Sequence, residues 1–100
     1  MAKKVNLKVN NNPIVLDFFV HEFVEKTVAG VVASLHDTGD IENLELKIDA
    51  GGLVTIHLND ADVPLKEFPM QIIKGTIEGM VSVLKGVEGA VDTIEINIRS

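Results

Sequence analysis

The chain contains no cysteine, no tryptophan, no tyrosine and a single arginine, Arg99. Each absence removes a class of function. Without cysteine there is no disulfide framework and no thiolate chemistry, a composition compatible with a reducing cytosol. Neutralising a phosphate backbone takes clustered Lys and Arg. Here eight lysines and one arginine are scattered through a chain of net charge −6. Stacking on unpaired bases would fall to the four Phe, all of which sit on or beside the expected helices. Nucleic acid is not an expected partner.

Long uncharged apolar runs are missing too. The longest apolar segment, "PIVLDFFVHEFVEKTVAGVVASL", carries Asp17, His21, Glu22, Glu25 and Lys26, whereas a membrane span needs ~20 mostly apolar residues. The first residues, "MAKKVNLKVN", have lysines with no apolar run behind them and do not read as a secretory signal. The expectation is an acidic cytoplasmic chain without a membrane partner.

What is present is a core and a repeat. With 46% of 100 residues hydrophobic, the chain can bury one core but has too little surface for two. Shifted by 49, residues 6–36 fall on 55–85 with seven identities, among them Asn10/Asn59, Phe19/Phe68, Thr27/Thr76, Gly30/Gly79 and Val32/Val81. Ordinary composition would give roughly two. At an offset of 50, "IENLELKI" (41–48) falls on "VDTIEINI" (91–98). The reading is a single domain, 1–100, built of two homologous halves, about 4–49 and 52–99.

Each half reads strand, helix, strand. Val5, Leu7 and Val9 alternate with Asn6, Lys8 and Asn10, the period of a half-buried strand, and Val54, Ile56 and Leu58 do the same. "LELKI" and "IEINI" supply the closing strands, "DAGG" (49–52) a hairpin turn, and Pro69 and Gly86 the start and cap of the second helix. Equivalence between the copies puts the first helix at about 18–36. The predicted fold is an α+β two-layer sandwich, β-α-β-β-α-β and ferredoxin-like, with spatial strand order 4-1-3-2 and an internal pseudo-two-fold axis. The alternative is ββαβ written twice, with residues 14–16 and 63–65 as an extra short strand before each helix.

The order β-α-β-β-α-β resembles that of acylphosphatases, heavy-metal chaperones, RNA-recognition motifs and amino-acid-binding regulatory domains. The resemblance ends at topology. The first loop has no arginine, there is no cysteine pair, and the sheet face has no aromatics.

On a helical wheel Phe19, Phe23, Thr27 and Gly30 share one stripe, matched by Phe68, Ile72, Thr76 and Gly79. A glycine inside a helix costs ~1 kcal/mol against alanine, so the repeated pair is expected to mark a close approach of the two helices. The apolar arc of each helix nears 180°, roughly, beyond what one contact needs. The surplus, assigned to Val28, Val32, Ile77 and Val81, is expected to cover a second subunit. Asp17 and Glu25 on one helix against Lys66 and Lys74 on the other would set the register of such a homodimer.

Chemistry is sparse. Lys8, His57, Glu45 and Glu95 are expected on the open sheet face, an acid, a base and an amine in one place, or else a ladder of cross-strand ion pairs. Asp17, His21 and Glu25 line one helix face at ligand spacing, but "HEFVE" lacks the second histidine of the zinc-protease motif, and no metal or cofactor is assigned. His36, Asp37, Asp40 and Glu42 crowd the turn after the first helix. Ser34, Ser82 and Ser100 have no base at recognisable spacing, and no Gly-rich phosphate loop occurs. The first expectation is therefore a non-catalytic protein-interaction and self-association module. The alternative is a small-metabolite-binding regulatory domain, and an enzyme using His57, Lys8 and the two glutamates comes third.

Overall fold

The computed structural model describes residues 4–35, 41–87 and 89–99. Its elements in chain order are β1 (Lys4–Val9), β2 (Asn12–Ile14), α1 (Phe18–Leu35), β3 (Asn43–Ile48), β4 (Val54–Leu58), β5 (Ala61–Asp62), α2 (Glu67–Val81) and β6 (Ile94–Arg99). Among the described residues these make one antiparallel six-stranded sheet, β2-β1-β6-β3-β4-β5, with two helices over one face. The α+β class is as expected; the strand order is not.

Two turns explain the order. Val9 pairs with Asn12, which leaves Asn10 and Asn11 as a two-residue turn with φ of 51° and 66°. Leu58 pairs with Ala61 around Asn59 and Asp60, with φ of 48° and 68°. Positive φ at both central residues marks the type I′ hairpin turn, whose twist matches that of the strands it joins. Asn and Asp tolerate this left-handed region better than other side chains. Each hairpin occupies one edge of β1 or β4. The expected 4-1-3-2 order needs neighbours on both edges of the first and third main strands, and so has no room for β2 and β5. The hairpins push β1 and β4 outward and bring β3 and β6 to the centre, so the four main strands run 1-4-2-3. The extra strands of the alternative reading exist, at 12–14 and 61–62 rather than 14–16 and 63–65.

The register follows the sequence offset. Leu7↔Ile96 in one half corresponds to Ile56↔Leu46 in the other, and Val9↔Ile94 to Leu58↔Leu44. Leu46 pairs with its own equivalent, Ile96, at the middle of the sheet. Exchanging the halves therefore maps the pairing onto itself about an axis through Leu46 and Ile96.

Alternation places Val5, Leu7 and Val9 and their counterparts on one buried face. The helices cover that face with Val24, Val28 and Val32 from α1 and Ile73, Ile77 and Val81 from α2, each set shifted by 49 from the other. Val28, Val32, Ile77 and Val81 are 0% exposed. They are core residues and cannot be the intersubunit surface assigned to them. Compact β-branched side chains let a helix sit close on a pleated sheet, so the inward stripe is the valine and isoleucine one.

The close approach of the helices expected at Gly30 and Gly79 is also missing. A Cβ built at either meets nothing within 4 Å, so the helices do not approach there. Gly30→Ala and Gly79→Ala are each expected to stabilise the fold by ~1 kcal/mol, seen as a higher urea midpoint at unchanged slope. A loss of stability would restore the close approach.

α1 begins where expected because Asp17 caps it, its Oδ1 accepting from Val20 N at 2.8 Å. Pro69 lies in the first turn of α2, where its missing N–H has no intrahelical partner to lose. α2 ends at Val81, well before the Gly86 cap read from sequence. Single turns follow, with Leu84 N donating to Val81 O and Val87 N to Leu84 O. Among the described residues no helix is long and apolar enough to cross a membrane.

Candidate functional site

The open sheet face divides the four polar residues expected to act together. Glu45 lies opposite His57, and Lys8 opposite Glu95. The glutamates stand on the central strands and Lys8 and His57 on the flanking ones, the reverse of what the 4-1-3-2 order implied. Lys8 and His57 are three strand spacings apart, roughly 14 Å. The expected constellation is two separate pairs.

Among the described residues the expected cross-strand ladder shrinks to one contact, at the β4–β5 edge. Elsewhere polar groups pair along strands, Lys47 with Glu45 at 3.4 Å, while Glu95 accepts from Asn97 Nδ2 at 3.3 Å. His57 Nδ1 contacts the Asp62 carboxylate of the adjoining edge strand. Lys8 has no side-chain partner among the described residues.

The same face carries two shallow depressions. One, of about 500 Å³, is lined by Asn43, Leu44, Glu45, His57, Asp60, Asn97 and Arg99. The other, of about 260 Å³, includes Lys8, Asn11, Lys47, Asp49, Thr93, Ile94 and Glu95. Moving each residue of the first by 49 or 50 yields a residue of the second: Glu45 becomes Glu95, His57 becomes Lys8, and Arg99 becomes Asp49. The fold thus builds one depression twice, each behind a type I′ hairpin, and fills the two with different chemistry. In the second, Asp49 is committed to its own turn, Oδ1 accepting from Gly51 N and Leu53 N, both at 2.9 Å.

On the flank of α1, His21, Glu22 and Glu25 bring ligand atoms within 4.8 Å of one another. Glu22 is paired with Lys26 at 3.6 Å, and Asp17 is spent on the helix cap. Glu25 Oε1 is buried with no hydrogen-bond partner among the described residues. The positions equivalent to Asp17, His21, Glu22 and Glu25 are Lys66, Met70, Gln71 and Lys74, which hold no ligand set, and Lys74 pairs with Glu78 at 3.3 Å. Of the polar group after α1, His36, Asp37 and Asp40 lie outside the described residues, as does Ser100. Ser34 and Ser82 donate to the helix carbonyls of Gly30 and Gly79, which is local helix bonding.

Above the core, the helices face away from the sheet with an apolar layer. Phe19 is 71% exposed, Phe23 50%, Phe68 69%, Ile72 52% and Val83 81%. Between the first half of α1 and the second half of α2 runs a groove of about 400 Å³ lined by Phe19, Phe23, Met80, Val83 and Leu84 over Val20 and Val24. The Phe19 and Phe23 rings lean together with centroids 5.9 Å apart. Isolated exposed apolar residues are ordinary, but a contiguous layer of them marks a contact surface. The layer is visible in the sequence as the Phe/Ile stripe of the repeat, but helical period alone does not separate a stripe that packs a sister helix from one that faces outward. No family model, curated protein or solved structure matches the chain.

Proposed function

We propose that the chain works in the cytoplasm as a non-catalytic self-association module, and that its two halves descend from a duplicated ββαβ unit. The exposed apolar helix layer carries the first reading, and the matching register of the halves supports the second. The occupant of the layer is a second copy. A sheet-edge dimer is disfavoured because the edge strands β2 and β5 have three and two residues, one bearing Pro13 and the other Asp62. The broad face measures 35 × 34 Å, enough for the ~800 Å² per partner of a stable interface.

The layer is also self-complementary. The groove lies beside Phe19, and its pseudo-symmetric opposite end presents Phe68 as a projecting ring. In a two-fold dimer Phe68 of each copy enters the groove of the other. Lys66 of one copy then comes beside Asp17 of the other, so opposite charges meet at the rim.

Light scattering at ~100 μM is expected to give twice the 10.8 kDa of one chain, since a dimer of even ~10 μM Kd is largely formed there. Phe19→Glu combined with Phe68→Glu is expected to halve that mass with unchanged circular dichroism. A wild type that is already monomeric, or a variant that stays dimeric, sinks the reading.

A further inference from the structure

One corner of the open sheet face holds two cations with no acidic partner among the described residues. Lys4 and Arg99 sit directly opposite each other across β1 and β6. Both are exposed, and among the described residues neither has a side-chain partner. Like charges at directly opposite positions destabilise a strand pair. In a chain with 15 acids and nine bases, composition does not force this juxtaposition. Nor does the repeat, since the equivalents of Lys4 and Arg99 are Leu53 and Asp49.

A third free group adjoins them. Asn43 lies opposite Arg99 on its other side. Its backbone is fixed by Asn59, whose Oδ1 accepts from Asn43 N at 3.0 Å and whose N–H donates to Asn43 O at 2.8 Å. The Asn43 side chain has no partner among the described residues. Asn43 and Arg99 line the larger depression, about 500 Å³, within the size range of small-molecule sites, and Lys4 stands beside it across Arg99.

We infer that this corner is an oxyanion site for a small ligand. Lys4 and the planar fork of Arg99 hold a terminal carboxylate or phosphate, to which the Asn43 amide adds a donor. The body of the ligand lies in the depression against His57. Glu45 and Asp60 on the depression's wall disfavour a second anionic group, so the far end of the ligand is neutral or cationic. The anion cancels the repulsion between Lys4 and Arg99, which ties ligand binding to strand pairing. The site is on the face opposite the helix layer, and it stands or falls independently of self-association.

The test titrates the ¹⁵N-labelled chain with inorganic phosphate, glycerol 3-phosphate and glutamine, with sodium chloride matching ionic strength. At least one headgroup class is expected to give saturable shifts centred on Asn43, Asn97 and Arg99, and which class responds identifies the headgroup. Arg99→Gln is expected to weaken that binding at least about tenfold. In ligand-free buffer the same variant is expected to melt at a higher temperature, because the like-charge contact is gone. Lys4→Gln provides the second reading of both effects. The inference is overturned if neither headgroup gives saturable shifts, if both variants bind like the wild type, or if Arg99→Gln lowers the ligand-free melting temperature.

Discussion

Val28→Glu and Val81→Glu are each expected to unfold the chain, whereas Phe19→Glu leaves it folded. Val28 and Val81 are 0% exposed and pack against the sheet. A carboxylate there must lose its hydration with no cation or donor in reach, or take up a proton at a cost. Such substitutions exceed ~4 kcal/mol, close to the whole stability of a small domain, which begins at ~5 kcal/mol. At Phe19 the new carboxylate stays in water. Circular dichroism and urea titration separate the two cases. A native spectrum with a near-wild-type midpoint for Val28→Glu would mean that the valine stripe does not face the sheet.

That contrast shows where the sequence was ambiguous. Both stripes of each helix are apolar, and helical period alone ranks neither as inward. The deciding factor lies in the sheet: a pleated surface made by Leu7, Leu46, Ile56 and Ile96 accepts β-branched residues closely, while phenylalanines at 19, 23 and 68 stand off it. Strands were easier to read. Their alternation has a strict period of two, and one buried face leaves no freedom of register. Strand order needed information from four residues, Asn10, Asn11, Asn59 and Asp60. They read as a polar turn, and an Asn-Asn or Asn-Asp pair between two apolar runs is specifically a type I′ signal. Reading them as hairpins would have placed β2 and β5 and excluded the 4-1-3-2 order. The polar sheet face was legible residue by residue, but its grouping depends on that order. Lys8 and His57 moved apart with it, and Lys4, Asn43 and Arg99 came together only in the folded sheet.

Asn10 and Asn59 carry the second large effect, since each does two jobs in one residue. Asn59 holds φ at 48° to turn the β4–β5 hairpin, and its Oδ1 accepts from Glu42 N at 2.9 Å and Asn43 N at 3.0 Å. Asn10 holds φ at 51°, and its Oδ1 accepts from Asp92 N at 2.8 Å and Thr93 N at 3.0 Å, while Nδ2 donates to Ala90 O at 2.9 Å. Each amide fastens a hairpin to the segment entering a central strand, β3 in one half and β6 in the other. Alanine in the left-handed region costs ~1 kcal/mol. The lost bonds add about 0.5–1 kcal/mol each, at the low end because water reaches these N–H groups. Asn59→Ala, with these two bonds lost, is therefore expected to cost ~2–3 kcal/mol in urea unfolding, and Asn10→Ala, with three, ~2.5–4 kcal/mol. Glycine keeps the turn conformation and loses only the bonds, so each Gly variant should be more stable than its Ala counterpart by ~1 kcal/mol, less whatever glycine's extra unfolded-state entropy removes. The two sites lie at opposite ends of the β3–β6 pair, roughly 20 Å apart at ~3.3 Å per residue, so the double alanine variant should show the sum of the single losses. Alanine variants as stable as the wild type would show that the clasps do not hold the hairpins. A double variant far from additive would show that the two hairpins are coupled through the sheet between them.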